Sequence, residues 1–311
     1  MQVHRLPLRQ TNQFSALFLD YMDQASALTE YSGNFPNLEG FAKQIEQKSF
    51  SDENRKVLVE VLKRQYQNLT IQPDLDILAQ PNTFTVTTGH QLNIFTGPLY
   101  VVYKMITVIN LAKSLKKAYP DYNFVPVYWM ATEDHDFAEI NHFSLFGKKY
   151  EWNTEQKGAV GRMNPKELET LISEFADCPE VFKNAYLEKE TLSDAVRCYI
   201  HELFGSEGLI CIDADDRQLK TLFSPIIKDD LLNHSAFAKV QATSSALENL
   251  GYKTQIAPRE INFFYLSNGV RERIVKEEGV YKVLNTELQF SEEEILALLE
   301  SQPEHFSPNV V

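Results

Sequence analysis

Cysteine is scarce in this chain of 311 residues: Cys178, Cys198 and Cys211 are odd in number and form no CxxC pair. A disulfide-stapled scaffold is excluded, no zinc-ligand spacing is offered, and a reducing compartment is expected. Positive charge is also short. Lys plus Arg number 30 against 43 Asp plus Glu, a formal net charge of −13. That sign repels phosphate backbones and anionic lipid, so neither nucleic acid nor a membrane surface is an expected partner. Long apolar runs are missing: stretches such as Leu99–Val102 fall far short of the roughly 20 residues that span a bilayer. The opening residues, Met1 to Pro7, have no apolar signal-peptide core, so a cytoplasmic location is expected. There is no internal repeat and no low-complexity tract.

What is present fits an ordinary globule. The hydrophobic fraction is 43% and the charged fraction 23%, close to globular averages, and the length suits one large domain or two smaller ones. Phe14, Leu17, Tyr21, Ala25 and Leu28 recur at helical spacing. After a Gly33–Pro36 break, further helices are expected over 38–47 and 52–69, with Ser51 or Asp52 as a cap. From Thr83 the pattern changes to β-branched residues, predicting a strand over 83–88. A loop, 89–98, leads into a helix over 99–118 with Pro98 in its first turn. Phe124–Met130 reads as the next strand, so the three elements form a parallel crossover unit. A third buried strand is expected at 208–213, and helices at 165–175, 192–204, 216–232, 235–250 and 292–300. Segments 255–257, 261–266 and 270–275, the last two joined by Asn268-Gly269, predict a small antiparallel section. The expected fold class is α/β, with a Rossmann-like parallel core over 81–311 and a helical N-terminal extension over 1–80.

Two segments could carry chemistry. The loop after the first strand runs from a strand's carboxyl end into a helix N-terminus, where anions bind in open α/β sheets. Thr88, Gly89, His90, Gln91, Thr96, Gly97 and, two turns into the helix, Lys104 are its candidate binding residues. The spacing matches neither a P-loop nor a dinucleotide fingerprint. The second segment, Glu133-Asp134-His135-Asp136, follows the strand ending at Met130, with Glu139 and His142 downstream. Such a cluster at a buried strand end suits a general base, an ammonium site or metal ligation, or simply decorates a helix start. Asp213 to Asp216 are expected to cap the following helix. Arg259 and Arg271 are candidates for carboxylate recognition.

The sequence Thr87-Thr88-Gly89-His90-Gln91, with Phe95 to Tyr100 and Lys104, resembles the glycine-rich signature of the BshC family of bacillithiol biosynthesis. So do Pro126 to Asp136 with Glu139, Asn141 and His142, the Gly158 to Arg162 segment, the strand into Asp213, and His305 to Val310. The resemblance spans nearly the whole chain. It implies a Rossmann-like core, a cysteine ligase activity joining L-cysteine to glucosaminyl malate by an amide bond, and ATP with magnesium as the activating co-substrate. It adds Tyr100, Ser307 and Asn309 to the candidate binding residues. On that chemistry, Asp134 or Asp136 would bind the amine and act as base, with Glu133 or His135 as alternates, and no metal is assigned to protein ligands. Family members usually carry Gln where this chain has His90. They are also longer, continuing into a coiled coil that implies a homodimer, so a fragment of such a protein is expected. A metal-dependent hydrolase built on Glu133–Asp136, or a non-catalytic ligand-binding fragment, are the alternatives.

Overall fold

In the computed structural model, which describes residues 4–174 and 177–309, the β-branched run forms strand β1 (Thr83–His90). It continues two residues beyond the expected end because Gly89 and His90 stay in register with the next strand. The helix Leu99–Ala118 follows, burying Val101, Met105, Val108, Ala112 and Leu115, the face that the helical period marks. Strand β2 (Asn123–Met130) lies parallel to β1. A hairpin of β3 (His142–Leu145) and β4 (Lys148–Glu151) comes next. It escapes sequence reading because its strands are short and its turn rests on Phe146 and Gly147, both with positive φ. Strand β5 (Ile210–Asp213) completes a three-stranded parallel sheet in the order β1-β2-β5. The architecture is the expected one: a Rossmann-like α/β core with a separate antiparallel sheet.

That second sheet is built from β6 (Phe263–Ser267), β7 (Val270–Glu277), β8 (Val280–Val283), β9 (Gln289–Phe290) and β10 (Phe306–Pro308), in the order β10-β6-β7-β8-β9. Asn268-Gly269 turns β6 into β7, with Gly269 at φ +74°. Before the last strand, helix Glu292–Ser301 starts in a capping box between Ser291 and Glu294. Residues 255–257, expected as a strand, have no regular structure. The helix expected over 165–175 is instead a 3-10 turn, Pro165–Leu168, and a short helix, Glu169–Ser173; its expected end at Phe175 lies outside the described residues.

The chain divides into two units. The larger comprises Phe50–Lys228 and Phe263–Asn309 and holds both sheets; the smaller comprises the described residues up to Ser49 together with Asp229–Asn262. In the smaller unit the expected helix over 14–28 breaks, because Gln24 adopts φ +55°; Ala16–Met22 is helical and Ser26–Leu28 forms a 3-10 turn. Asp20 accepts hydrogen bonds from Arg9 and from the Tyr252 hydroxyl (2.6 and 2.8 Å), which ties helix Ala16–Met22 to the segment after helix Ser235–Asn249. Within this unit is a cavity of about 270 Å³ flanked by Tyr21, Leu28, Phe35 and Lys43.

In the larger unit the register matters most. His90 pairs with Met130, and Met130 with Asp213, so the three parallel strands end level. The loops that follow them therefore open along one edge, where ligands sit in open α/β sheets. The loop after β2 is pinned by a 3-10 turn, Val160–Arg162: Val160 N–H donates to Asp134 O (2.7 Å) and Gly161 N–H to Thr132 O (2.8 Å). That approach requires glycine, since a Cβ at 161 would lie 2.5 Å from Thr132 Cβ and 2.8 Å from its carbonyl oxygen. We expect Gly161→Ala to lower stability by about 1–3 kcal/mol, the range for overpacking a close contact. Gly33→Ala, with no atom within 4 Å of the new Cβ, should change little. Urea midpoints at unchanged slope measure both.

Candidate active site

Glu133 sits at the first bend after β2 and is 9% exposed. One carboxylate oxygen pairs with the Lys220 ammonium; the other accepts the Ser307 hydroxyl at 3.0 Å. Burial pushes the Glu133 carboxyl above its ordinary value, and the Lys220 charge and the two hydrogen bonds only partly oppose this. Lys220, 5% exposed, comes from the helix that starts at Arg217. It also lies 3.4 Å from Asp215 and donates to the Glu304 carbonyl at 3.2 Å, so all three ammonium hydrogens have an acceptor. Asp215 in turn takes a bidentate fork from Arg162 (2.6 and 2.8 Å). Burial would raise the Asp215 carboxyl, but Arg162 and Lys220 overcome it and leave it below the usual range. Beside it, Asp213 accepts from Thr132 at 2.5 Å and from Ser193.

The neighbouring residue faces a different environment. Asp134 is half-buried and accepts from the Gln91 side-chain amide (3.1 Å) and the His135 backbone N–H (2.8 Å), with Arg271 Nη1 at 3.7 Å. Burial raises its carboxyl, yet these donors outweigh it, so Asp134 stays a carboxylate below the ordinary value. The Gln91 amide also bonds Glu139, which fixes the loop after β1 against the loop after β2. Arg271, on β7, lies over the Phe264 ring at 4.1 Å and donates to Ser307 Oγ (3.1 Å), the Pro308 carbonyl (3.1 Å) and His135 Nδ1 (2.9 Å). The strand pairing of β10 with β6 puts Ser307 opposite Phe264 and so within its reach.

The loop after β1 offers a second group of donors. Lys104 Nζ reaches back two turns and donates to Gly89 O at 2.6 Å. The His90 ring stacks on Tyr100, 5.3 Å between centroids, and its Nδ1 accepts the Gln91 backbone N–H at 2.7 Å. Burial, aided by the Lys104 charge, pulls the His90 imidazole below its ordinary value. Its free Nε2 is therefore a neutral donor near pH 7, not a cation. Thr88 lies half-buried on β1 beside Tyr128. Thr96 and Gly97 have φ of +68° and +63°, and a Cβ at 97 would meet the Asn93 side chain at 2.4 Å, so this glycine shapes the turn.

The structure thus brings Gln91, Glu133, Asp134, His135, Arg271 and Ser307 into one network. Asp136 is exposed at the start of a short helix, Phe137–Ile140, without capping it through its side chain. Asn309 is half-buried one residue beyond β10. Arg259 belongs to the smaller unit. Capping at 213–216 falls to Asp216, whose Oδ1 accepts from Gln218 N–H at 2.9 Å, whereas Asp213 and Asp215 serve the network. Lys220 is the residue that sequence reasoning missed. Its signal is position, since it shares a helix stripe with Ser224, Ile227 and Leu231, and a lysine in an apolar stripe needs a carboxylate. Among the described residues, no three of His, Cys, Asp and Glu are arranged to hold a metal ion, and Glu133 and Asp134 are already committed to Lys220 and Gln91.

A family model described as the N-terminal Rossmann-like domain of bacillithiol biosynthesis BshC matches residues 1–311. The chain is 47% identical over 314 residues to a Flavobacterium johnsoniae protein named "Putative cysteine ligase BshC", covering 96% of this chain and 59% of that protein. Proteins of the same name from Christiangramia forsetii and Natranaerobius thermophilus are 44% and 30% identical, with 97% and 95% of this chain covered. The chain spans about 60% of the length of the curated relatives it matches.

Because Lys220 is the cation paired with the buried Glu133, Lys220→Met should destabilise the fold by about 3–5 kcal/mol, the range for orphaning a buried charge. Adding Glu133→Gln should restore part of that loss. The Glu133 carboxyl is already raised in the fold, so its contribution is most favourable below the unfolded value and is lost as pH rises through the folded one. The deficit of Lys220→Met should therefore be smaller at pH 5 than at pH 8. Denaturant titrations at the two pH values test the sign.

Proposed function

The chain belongs to the BshC family of bacillithiol biosynthesis, and from that premise we propose that it forms the N-terminal part of a cytoplasmic cysteine ligase. The reaction joins L-cysteine to glucosaminyl malate through an amide bond. The observation that carries this reading is the Gln91–Asp134–Arg271–His135 arrangement at the level edge of the parallel sheet, inside the segments that match the family.

A free carboxylate does not acylate an amine, so the cysteine carboxyl has to be activated. ATP with magnesium would transfer a phosphoryl or adenylyl group to that carboxyl, releasing ADP or pyrophosphate, and phosphate or AMP would leave as the amide forms. The donor set after β1 suits such an anion: Lys104 spends one hydrogen on Gly89 O, His90 offers Nε2–H, Thr88 and Thr96 offer hydroxyls, and helix Leu99–Ala118 begins beside them. Across the edge, Asp134 holds the sugar ammonium by a charge-assisted hydrogen bond and aligns it with the acyl carbon. With Asp134 holding the ammonium, the proton passes to Asp136, which is exposed and free of capping duty. Glu133 is withdrawn from proton transfer by Lys220 and Ser307. The rest of the protein would supply the coiled coil of a homodimer.

Asp134→Asn keeps the shape and removes the charge. In the full-length protein it should lower amide formation by at least about 10²-fold, as expected for losing a positioned charged group, while the melting temperature stays within a few degrees. Unchanged turnover would take Asp134 out of the mechanism.

A further inference from the structure

Hydrogen-bond direction is forced along a chain of side chains behind the site. Lysine and arginine only donate, and a serine hydroxyl has one hydrogen. Lys220 donates to one oxygen of Glu133. Ser307 Oγ accepts from Arg271 Nε at 3.1 Å and spends its hydrogen on the other Glu133 oxygen at 3.0 Å. Arg271, with its side chain 10% exposed, turns Nη1 to His135 Nδ1 at 2.9 Å. Asp134 Oδ1 lies 3.6 Å from the same ring nitrogen, too far to compete for a proton on it. Nδ1 is thus the acceptor, and in the neutral ring the proton sits on Nε2. The His135 side chain is 47% exposed, which leaves room for a ligand beside the ring.

We propose that Lys220 is a positioning residue that acts through Glu133, Ser307 and Arg271 to hold His135 as an Nε2–H donor aimed at the oxygen of the acyl group under attack. Without Lys220, the buried Glu133 charge is uncompensated and takes up a proton. Where that proton rests on the oxygen facing Ser307, Glu133 donates into Ser307, whose own hydrogen then turns toward Arg271 Nε, donor against donor, so the direction along the chain is no longer single. The arginine loses its fixed orientation and His135 its single tautomer. In acyl transfer, a preset donor of this kind acts where negative charge develops, a consequence that rests on the ligase reading above. The tautomer itself stands on hydrogen-bond direction alone.

The test is long-range 1H–15N NMR of this chain labelled at histidine, with the His135 signals assigned by a His135→Asn variant. The unsubstituted chain should show His135 as the Nε2–H tautomer, and Lys220→Met should show averaged tautomers. Ser307→Ala, which leaves no charge unpaired, should do the same and decides the matter if Lys220→Met does not fold. An Nδ1–H tautomer in the unsubstituted chain, or a single unchanged tautomer in folded Lys220→Met or in Ser307→Ala, overturns the proposal. In the full-length protein, Ser307→Ala should lower kcat by about ten- to a hundredfold with KM for cysteine unchanged, the scale of a misplaced group. Failure of the Asp134 test with the tautomer result intact would remove the ligase reading and leave the positioning role standing.

Discussion

A single ammonium, Lys220, holds the site together. It lies where the ends of β2 and β5 meet the helix from Arg217 and the segment leading into β10, and it touches a residue of each: Glu133, Asp215 and the Glu304 carbonyl. Placing charges in so dry a location is unfavourable unless each is matched, and breaking one partner exposes the other to the full desolvation penalty. Stability alone would be served as well by an apolar core. The retained charges are better understood through what they orient, because a lysine between two carboxylates fixes which groups nearby can donate and which must accept.

Everything downstream inherits that polarity. Glu133 is committed to Lys220 on one side and Ser307 on the other, while Asp134, its neighbour, is turned the opposite way toward Gln91 and Arg271. Adjacent carboxylates in one loop thus take different roles, one buried and structural with a raised carboxyl, one half-buried and held as a carboxylate. The backbone makes this possible. Level strand ends bring three loops together, and Gly161 lets the Val160–Arg162 turn close to within hydrogen-bond distance of Thr132. The antiparallel sheet contributes from the other direction, with β7 delivering Arg271 and β10 delivering Ser307.

Sequence periodicity made the central unit legible. β1, its helix and β2 follow local rules of β-branching, helical spacing and a proline at a helix start, and the Asn268-Gly269 turn announced its hairpin. The acidic run after β2 was equally visible as a strand-end cluster. The partners of that run were not, because they arrive from far along the chain: Lys220 pairs with Glu133, and Arg271 with His135, across many intervening elements whose packing no local pattern records. Asp215 illustrates the same limit. In sequence it sits where a helix cap belongs, and only the fold shows Asp216 capping while Asp215 faces Arg162. The β3–β4 hairpin was missed for a different reason, since four-residue strands around a positive-φ turn carry too few alternations to register.

We propose that substrate meets this chain at the level edge of the parallel sheet. Backbone amide NMR of the labelled chain, titrated with glucosaminyl malate, reads that location directly. The largest shifts are expected at Gln91, at Ala131–Asp136 and at Arg271. Saturable binding that leaves those amides unmoved, or moves instead those around the cavity of Tyr21 and Phe35 in the smaller unit, would contradict it.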